Sequence, residues 1–422
     1  VEVAVRAYPV DDLLARLDGE VAPIWVSIGL RVEDPGPIER WVDALRALVD
    51  ATPRLNMRWG GAGWVHARRD AADVRDAVRV AAAAPSLERA VARLAGQPAR
   101  LESDLPLRLT WTPLDDGTWA LTLQLHHAVG DARALGRATR RLWRAFTHGE
   151  ATPDHTPPVP VSRARLLAAL ATRPLQSLGH LDPARFLLSR RATPMRRDGD
   201  EAGAPTLRAV TLQAGEGVDP VDLFHGALLA TTAAFIDAPD GTIRWRTPFD
   251  LSAPLGLHGA FCNTCVALPL EFDLGAARQG HPRALAATWR RAARQAWSRG
   301  APWAALLECA VAARVASTDA LRHGARPGLT ADPRTNTAVV TFVGDLTRYL
   351  DGAPFEVLDA CGQTPTWGAN AWTMRGRLVV NFTCFEGIWR DATLDAFAHA
   401  FTDVVESSGL GARITREGAL HA

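Results

Sequence analysis

Lysine is absent from this sequence: all 47 basic side chains among its 422 residues are arginine. The gap excludes chemistry. A P-loop needs its phosphate-binding lysine, a protein kinase its strand lysine and a pyridoxal-phosphate enzyme its Schiff-base lysine. Gly-x-Ser-x-Gly and His-Glu-x-x-His are missing too, which leaves no nucleophile elbow and no zincin helix. No apolar run approaches the roughly 20 residues that span a bilayer. The first residues show no charged region followed by an apolar signal core, so a cytoplasmic protein is expected. Charge of neither sign dominates, with 47 basic against 46 acidic residues, which argues against nucleic acid or an anionic membrane as partner. Cysteine is sparse: Cys262, Cys265, Cys309, Cys361 and Cys384. Cys262-Asn263-Thr264-Cys265 has metal or redox spacing, but no second pair or nearby histidine completes a site. The pair falls in the alternating run from Phe261 to Leu270 and reads as packing residues with no bound metal, and the odd count of cysteines favours free thiols.

A chain of this length exceeds the size at which one core stops growing, so two domains are expected. Alternation marks strands at Ile24 to Leu30, Leu107 to Trp111 and Trp119 to Leu125. Helical spacing marks the segment carrying Ile38, Trp41, Leu45 and Leu48, and another around Leu87 to Leu94. The second half repeats the pattern, with strands at Leu207 to Leu212, at Ile243, at Phe261 to Leu270, at Thr337 to Val343, near Trp367 to Met374 and at Leu378 to Phe385. Its helices run from Asp219 to Ile236, in two pieces between Arg283 and Val315, and from Leu394 to Val405. The expected organisation is an α/β chain with an N-terminal lobe over 1–160, a linker with a helical segment over 161–205, and a C-terminal lobe over 206–422.

The densest chemistry lies at His126-His127-Ala128-Val129-Gly130-Asp131. An apolar row of Trp119, Leu121, Leu123 and Leu125 leads into it, with His127 next in that row. Leu135, Ala138, Leu142, Trp143 and Phe146 then fall at helical spacing, so Asp131 stands at a helix start, where an aspartate commonly caps. Imidazole titrates close to working pH, which makes His127 the candidate general base for removing a proton from an attacking amine or alcohol.

HHAVGDA resembles the HHxxxDG motif of the condensation-domain and CoA-dependent acyltransferase superfamily, with Ala132 at the final glycine. Further segments fall in matching order. Thr52 to Trp59 is similar to an HPxLRxRF segment, Val218 to Leu223 to the start of a second lobe, and Arg246 to Ser252 with Phe261-Cys262-Asn263 to a PVxLR and GN pair. Val340 to Gly344 sits where condensation domains carry a VSNLG-like strand. The resemblance implies two chloramphenicol-acetyltransferase-like lobes, each an α+β two-layer sandwich, in a V-shaped pseudo-dimer with an active-site tunnel between them. It implies His127 as catalytic base, His126 in a supporting role, and Asp131 holding the loop through a pair with an arginine. The arginine's usual position is Asn56 here, and Arg54 and Arg58 are the neighbours able to replace it. Thr341 aligns with a serine able to donate to an oxyanion, and Gly130 and Trp367 are placed beside substrate.

The function so implied is a free-standing acyltransferase or condensation enzyme of secondary metabolism that forms an amide or an ester. Its donor would be a phosphopantetheine-linked thioester, on a carrier protein or CoA, and its acceptor a small amine or alcohol. No permanent cofactor is expected, and a monomer is. The chain carries no carrier-protein or adenylation domain, so the donor is expected from outside. Arg190-Arg191 and Arg196-Arg197 are candidate contacts for a donor phosphate or an acidic carrier helix. Alternatives are the same fold turned to epimerisation or cyclisation, and a non-catalytic docking module for a carrier protein.

Overall fold

The computed structural model describes residues 9–18, 24–61, 63–97, 100–154, 192–198, 205–257, 259–321, 336–363, 368–384, 388–409 and 413–414. In the first half the order is α1 (Pro9–Leu17), β1 (Trp25–Val32), α2 (Ile38–Asp50), a short 3-10 turn at Pro53–Asn56, β2 (Met57–Trp59), β3 (Trp64–His66), α3 (Ala71–Asp76), β4 (Val78–Val80), α4 (Leu87–Ala95), β5 (Leu107–Pro113), β6 (Trp119–His126) and α5 (Ala132–His148). The second half follows with β7 (Thr206–Gln213), α6 (Pro220–Ala234), β8 (Thr242–Asp250), β9 (Cys265–Asp273), α7 (Leu274–Gln279), α8 (Pro282–Ser298), α9 (Ala301–Val315), β10 (Ala338–Asp345), α10 (Thr347–Leu350), β11 (Asp359–Gln363), β12 (Gly368–Met374), β13 (Arg377–Cys384), α11 (Asp391–Ser407) and β14 (Arg413–Ile414).

Two mixed sheets with covering helices give the expected α/β class. The first runs β11-β1-β6-β5-β4, with β1 antiparallel to both neighbours and β4 parallel to β5. Because successive side chains point to opposite faces, each strand shows two unlike rows. Val26, Ile28 and Leu30 of β1 and Leu121, Leu123 and Leu125 of β6 pack with Trp41, Leu45, Leu142 and Trp143 of α2 and α5. The other face carries Ser27 and Gln124, and α4 lies over it, accepting a hydrogen bond at the Leu94 carbonyl from Gln124 Nε2 at 3.1 Å. Gly29 permits that approach, since a Cβ there would stand 2.2 Å from Val91 Cγ2.

The second sheet runs β14-β7-β13-β12-β10-β8-β9, with β10 parallel to both β8 and β12. Phe224, Leu228, Phe397 and Phe401 of α6 and α11 fill one face of it against Trp245, Val340 and Phe382. The two halves are interlocked. Strand β11, from the second half, is the edge strand of the first sheet, with Gln363 opposite Ser27. An edge leaves backbone groups unpaired, and two asparagines of the second sheet satisfy those of Gly362. Its N–H donates to Asn381 Oδ1 at 3.0 Å and its carbonyl accepts from Asn370 Nδ2 at 3.3 Å, while Asn381 Nδ2 donates to Asn370 Oδ1 at 3.1 Å. In the opposite direction, Val10 of α1 joins Trp303 and Leu306 of α9 in a shared cluster.

Most of the expected elements are present, and the differences are local. Strand β9 begins at Cys265, so Phe261 to Thr264 form a loop that leaves the sheet to meet the first half. The segment 161–205 lies largely outside the described residues, including the helical piece around Leu166 to Leu178 and the pair Arg190-Arg191; so does Trp367. Among the described residues no helix is long and apolar enough to cross a membrane. A Cβ at Gly362 would stand 2.5 Å from Trp372 Cη2 and 2.8 Å from the Ser27 carbonyl oxygen. Gly362→Ala is therefore expected to cost about 1–3 kcal/mol by overpacking, read as a lower urea midpoint; an unchanged midpoint would show that β11 does not depend on this contact.

Candidate active site

Strand β6 ends at His126, which shares a face with Gln124, so the apolar row stops at Leu125 and His127 stands in the turn that follows. That corrects the expected row. The turn is closed by the N–H groups of Val129 and Gly130, which donate to the His126 carbonyl at 2.9 and 3.3 Å. Gly130 is required there, because a Cβ would stand 2.6 Å from Ala134 Cβ and 2.8 Å from Leu125 Cδ2. Helix α5 then starts at Ala132 with Asp131 as N-cap, its Oδ1 accepting from Ala134 N at 2.9 Å. Alanine in place of the motif's last glycine costs this turn nothing, since position 132 has entered the helix and packs on the first core.

The two histidines point to different surroundings. His126 is fully buried, and its Nδ1 accepts from Ala128 N at 3.2 Å, which puts the proton of the neutral ring on Nε2. Asp18 Oδ1 lies 3.2 Å from that nitrogen as an electrostatic partner outside hydrogen-bond alignment, and Trp25 meets the ring edge-on at 5.5 Å. His127 is half-buried, and its Nδ1 donates to the Gly130 carbonyl at 3.1 Å. The unprotonated nitrogen is then Nε2, a base. Burial holds the His127 pKa below its ordinary value, against the Gly130 carbonyl and the Asp131 charge, so the ring is neutral at working pH.

Residues of the second half complete the site. Asn263 Nδ2 donates to the His127 carbonyl at 3.1 Å and lies 3.4 Å from Nδ1, while its Oδ1 accepts from Cys265 N at 3.1 Å. Asp131 Oδ2 receives the Thr264 N–H at 3.4 Å and the Cys265 thiol at 3.7 Å. Burial lifts that thiol well above its usual range, so it stays a donor. The Thr264 hydroxyl gives its proton to Asp250 Oδ1 at 2.8 Å. Burial pulls the Asp250 carboxyl upward, but the Ser252 N–H and hydroxyl, Thr264 and Arg133 outweigh it and hold it below the ordinary aspartate range. Arg133 of α5 pairs with Asp250, and Arg137 one turn on donates to the Ala260 carbonyl. These contacts tie the segment between β8 and β9 to the histidine turn and the start of α5.

The departure at Asn56 is resolved by its neighbour. Asn56 Nδ2 donates to the Val49 carbonyl at the end of α2, at 2.7 Å. Arg54 is the buried cation beside the turn: its Nε donates to the Val129 carbonyl at 3.2 Å and an Nη to Asp11 Oδ2 at 2.6 Å. Burial pushes the Asp11 carboxyl up to about 7 although Arg54 opposes it. Asp11, Asp18 and Asn263 were not marked as site residues by sequence. Only the GN resemblance pointed to Asn263; α1, which brings Asp11, gave no signal.

Thr341 stands on β10 opposite Asn370, half-buried, on the face away from Val340 and with no hydrogen bond to the motif among the described residues. Arg196 lies over the Phe235 ring at 5.5 Å, with the second half's core. Among the described residues no group of three histidine, cysteine or acidic side chains could hold a metal.

No protein-family model matches the chain, and no curated protein does. Solved structures do. Trichothecene 15-O-acetyltransferase TRI3 from Fusarium sporotrichioides superposes with a TM-score of 0.68 at 11% identity, over 97% of this chain and 95% of that one. Polyketide synthase associated protein 5 from Mycobacterium tuberculosis gives 0.59 at 18% identity, over 97% and 98%. The first condensation domain of the CDA synthetase gives 0.59 at 17% identity, over 99% and 98%. At such identities the likeness is one of fold: the chain shares the two-lobed fold of these structures.

Removing Arg54 would leave Asp11 buried without its cation. Because the Asp11 carboxyl can take up a proton instead, Arg54→Ala is expected to cost about 1–3 kcal/mol in urea unfolding, chiefly for the buried Val129 carbonyl and Asp11 left unbonded. Asp131→Ala, which loses a helix cap, is expected to cost about 1–2 kcal/mol; full stability in either variant would contradict the role given to that residue.

Proposed function

We propose that the protein transfers an acyl group from a thioester donor, on a carrier protein or CoA, to a small amine or alcohol, with His127 as general base. The observation that supports this most is the His127–Gly130 hydrogen bond, which leaves Nε2 unprotonated beside a loop from the other half. As the acceptor oxygen or nitrogen bonds to the thioester carbon, its proton passes to Nε2 and the carbonyl becomes an oxyanion. Collapse of that intermediate breaks the C–S bond, and the departing thiolate recovers the proton from the imidazolium. The products are an ester or amide and a free thiol. Asp131 and Asn263 are positioning residues in this reading, because they hold the turn and the main chain of His127 rather than the reacting atoms. Thr341 is the candidate hydroxyl for the oxyanion, Gly130 supplies the carbonyl that orients the base, and the two acyltransferase-like lobes are assigned to 1–160 and 206–422 with 161–205 as linker, apart from β11, which crosses to the first sheet.

His127→Ala is expected to lower acyl transfer by about 10²–10⁴-fold. Mass spectrometry of incubations with acyl-carrier and acyl-CoA panels plus amine and alcohol pools measures it, with circular dichroism to check folding. Undiminished product would remove the base from the reading. The acid limb of the rate profile should lie below 6.5, the ordinary histidine value, because burial favours the neutral ring. The linked stability has the same sign: the unfolded chain takes up this proton first, so the His127 contribution is lost as pH falls below that value. A limb above it would contradict the buried base.

A further inference from the structure

A second site lies along the outer face of α5. Arg137, Arg140, Arg141 and Arg144 are spaced i, i+3, i+4 and i+7, so they share one side of the helix, where they border a cavity of about 250 Å³ with Asp154 and Phe261. Like charges at this spacing repel, and within the cavity four guanidinium groups meet one carboxylate. Their capacities differ. Arg141 is fixed, its Nε donating to the Thr152 carbonyl at 2.9 Å and an Nη to the Ala51 carbonyl at 3.0 Å. Arg137 is held by the Ala260 carbonyl, while its Nε is buried with no partner among the described residues. Arg144 has one long contact, to Thr152 Oγ1 at 3.4 Å, and Arg140 is exposed with no hydrogen bond or ion pair among the described residues. The groove therefore has fixed walls and free donors. The sequence from His155 to Arg191, which follows it, carries six arginines and one acidic residue, so it brings no excess of carboxylate.

We propose that this groove binds a phosphate or pyrophosphate group, and that the group is the phosphate end of the pantetheine-borne donor; the second clause rests on the proposed acyl transfer. Guanidinium forks match phosphate oxygens in pairs, and α5 presents several within reach of one anion. The volume seats a phosphate and its neighbouring atoms rather than a whole nucleotide. At about 1.5 Å per residue, Arg137 lies some 9 Å and Arg144 about 20 Å along the helix from Asp131. Phe261 at the groove is two residues from Asn263, so the wall that would hold the anion belongs to the loop that holds His127.

Isothermal titration tests this on the full chain with inorganic pyrophosphate, CoA, 4′-phosphopantetheine and phosphate-free pantetheine. The three phosphate probes should bind and pantetheine should not. Arg140→Glu with Arg144→Glu should weaken them by about 10–100-fold, with Arg140→Gln and Arg144→Gln as the milder pair should the first not fold. His127→Ala should bind pyrophosphate like the wild type, which separates this site from the base. Tenfold tighter binding of CoA than of 4′-phosphopantetheine would assign the phosphate to CoA, and equal binding to the arm of a carrier protein. Absence of pyrophosphate binding, or binding unchanged in both paired variants, would overturn the groove. Binding that is lost in the variants while the donor KM in acyl transfer stays the same would overturn its assignment to the donor.

Discussion

The carbonyl of Gly130 takes the Nδ1 proton of His127, and that bond exists because β6 and α5 meet tightly at a residue with no side chain. Every other feature of the site depends on that closeness. It puts Asp131 at the helix start, aims the Val129 carbonyl at Arg54, and leaves Asp131 Oδ2 facing the loop of the other half. A few ångströms of slack would return Nδ1 to solvent and let either nitrogen carry the proton. Rigidity here is a statement about which tautomer the ring adopts.

Arg54 and Asn263 act on the same turn from opposite sides. The arginine lies in the 3-10 turn after α2 and draws on Asp11 of α1; the asparagine comes from the loop between β8 and β9. The turn is thus clamped by chain segments widely separated in sequence, and both clamps bond to backbone carbonyls, which leaves the imidazole's Nε2 free for other partners. The same division applies along α5: its inner face fills the first core, its start is tied to the second half, and its outer face presents arginine.

What could be read from the sequence was local. Alternation in β1, β5 and β6, helical spacing after Asp131 and the aspartate cap are set by near neighbours, and they reappear as expected. What escaped depends on distant chain. Asp359 to Gln363 has no strong alternation, and it is a strand because β1 has an edge to offer and two asparagines satisfy its far side. Phe261 to Thr264 does alternate, yet it leaves the sheet because Asn263 and Thr264 have better partners at His127 and Asp131. The chemistry of His127 is legible in its sequence while its place in the apolar row is not, since alternation cannot show that β6 stops at His126.

The insertion of β11 also bears on how the chain is made. Ser27 waits for Gln363, so the first sheet keeps an open edge at β1 until the more than 300 residues between the two have been synthesised. A nascent first half is consequently an unfinished sheet, exposed to pairing with strands of other chains during translation. Late closure of so long a loop favours slow assembly, and it ties the folding of the first half to that of the second.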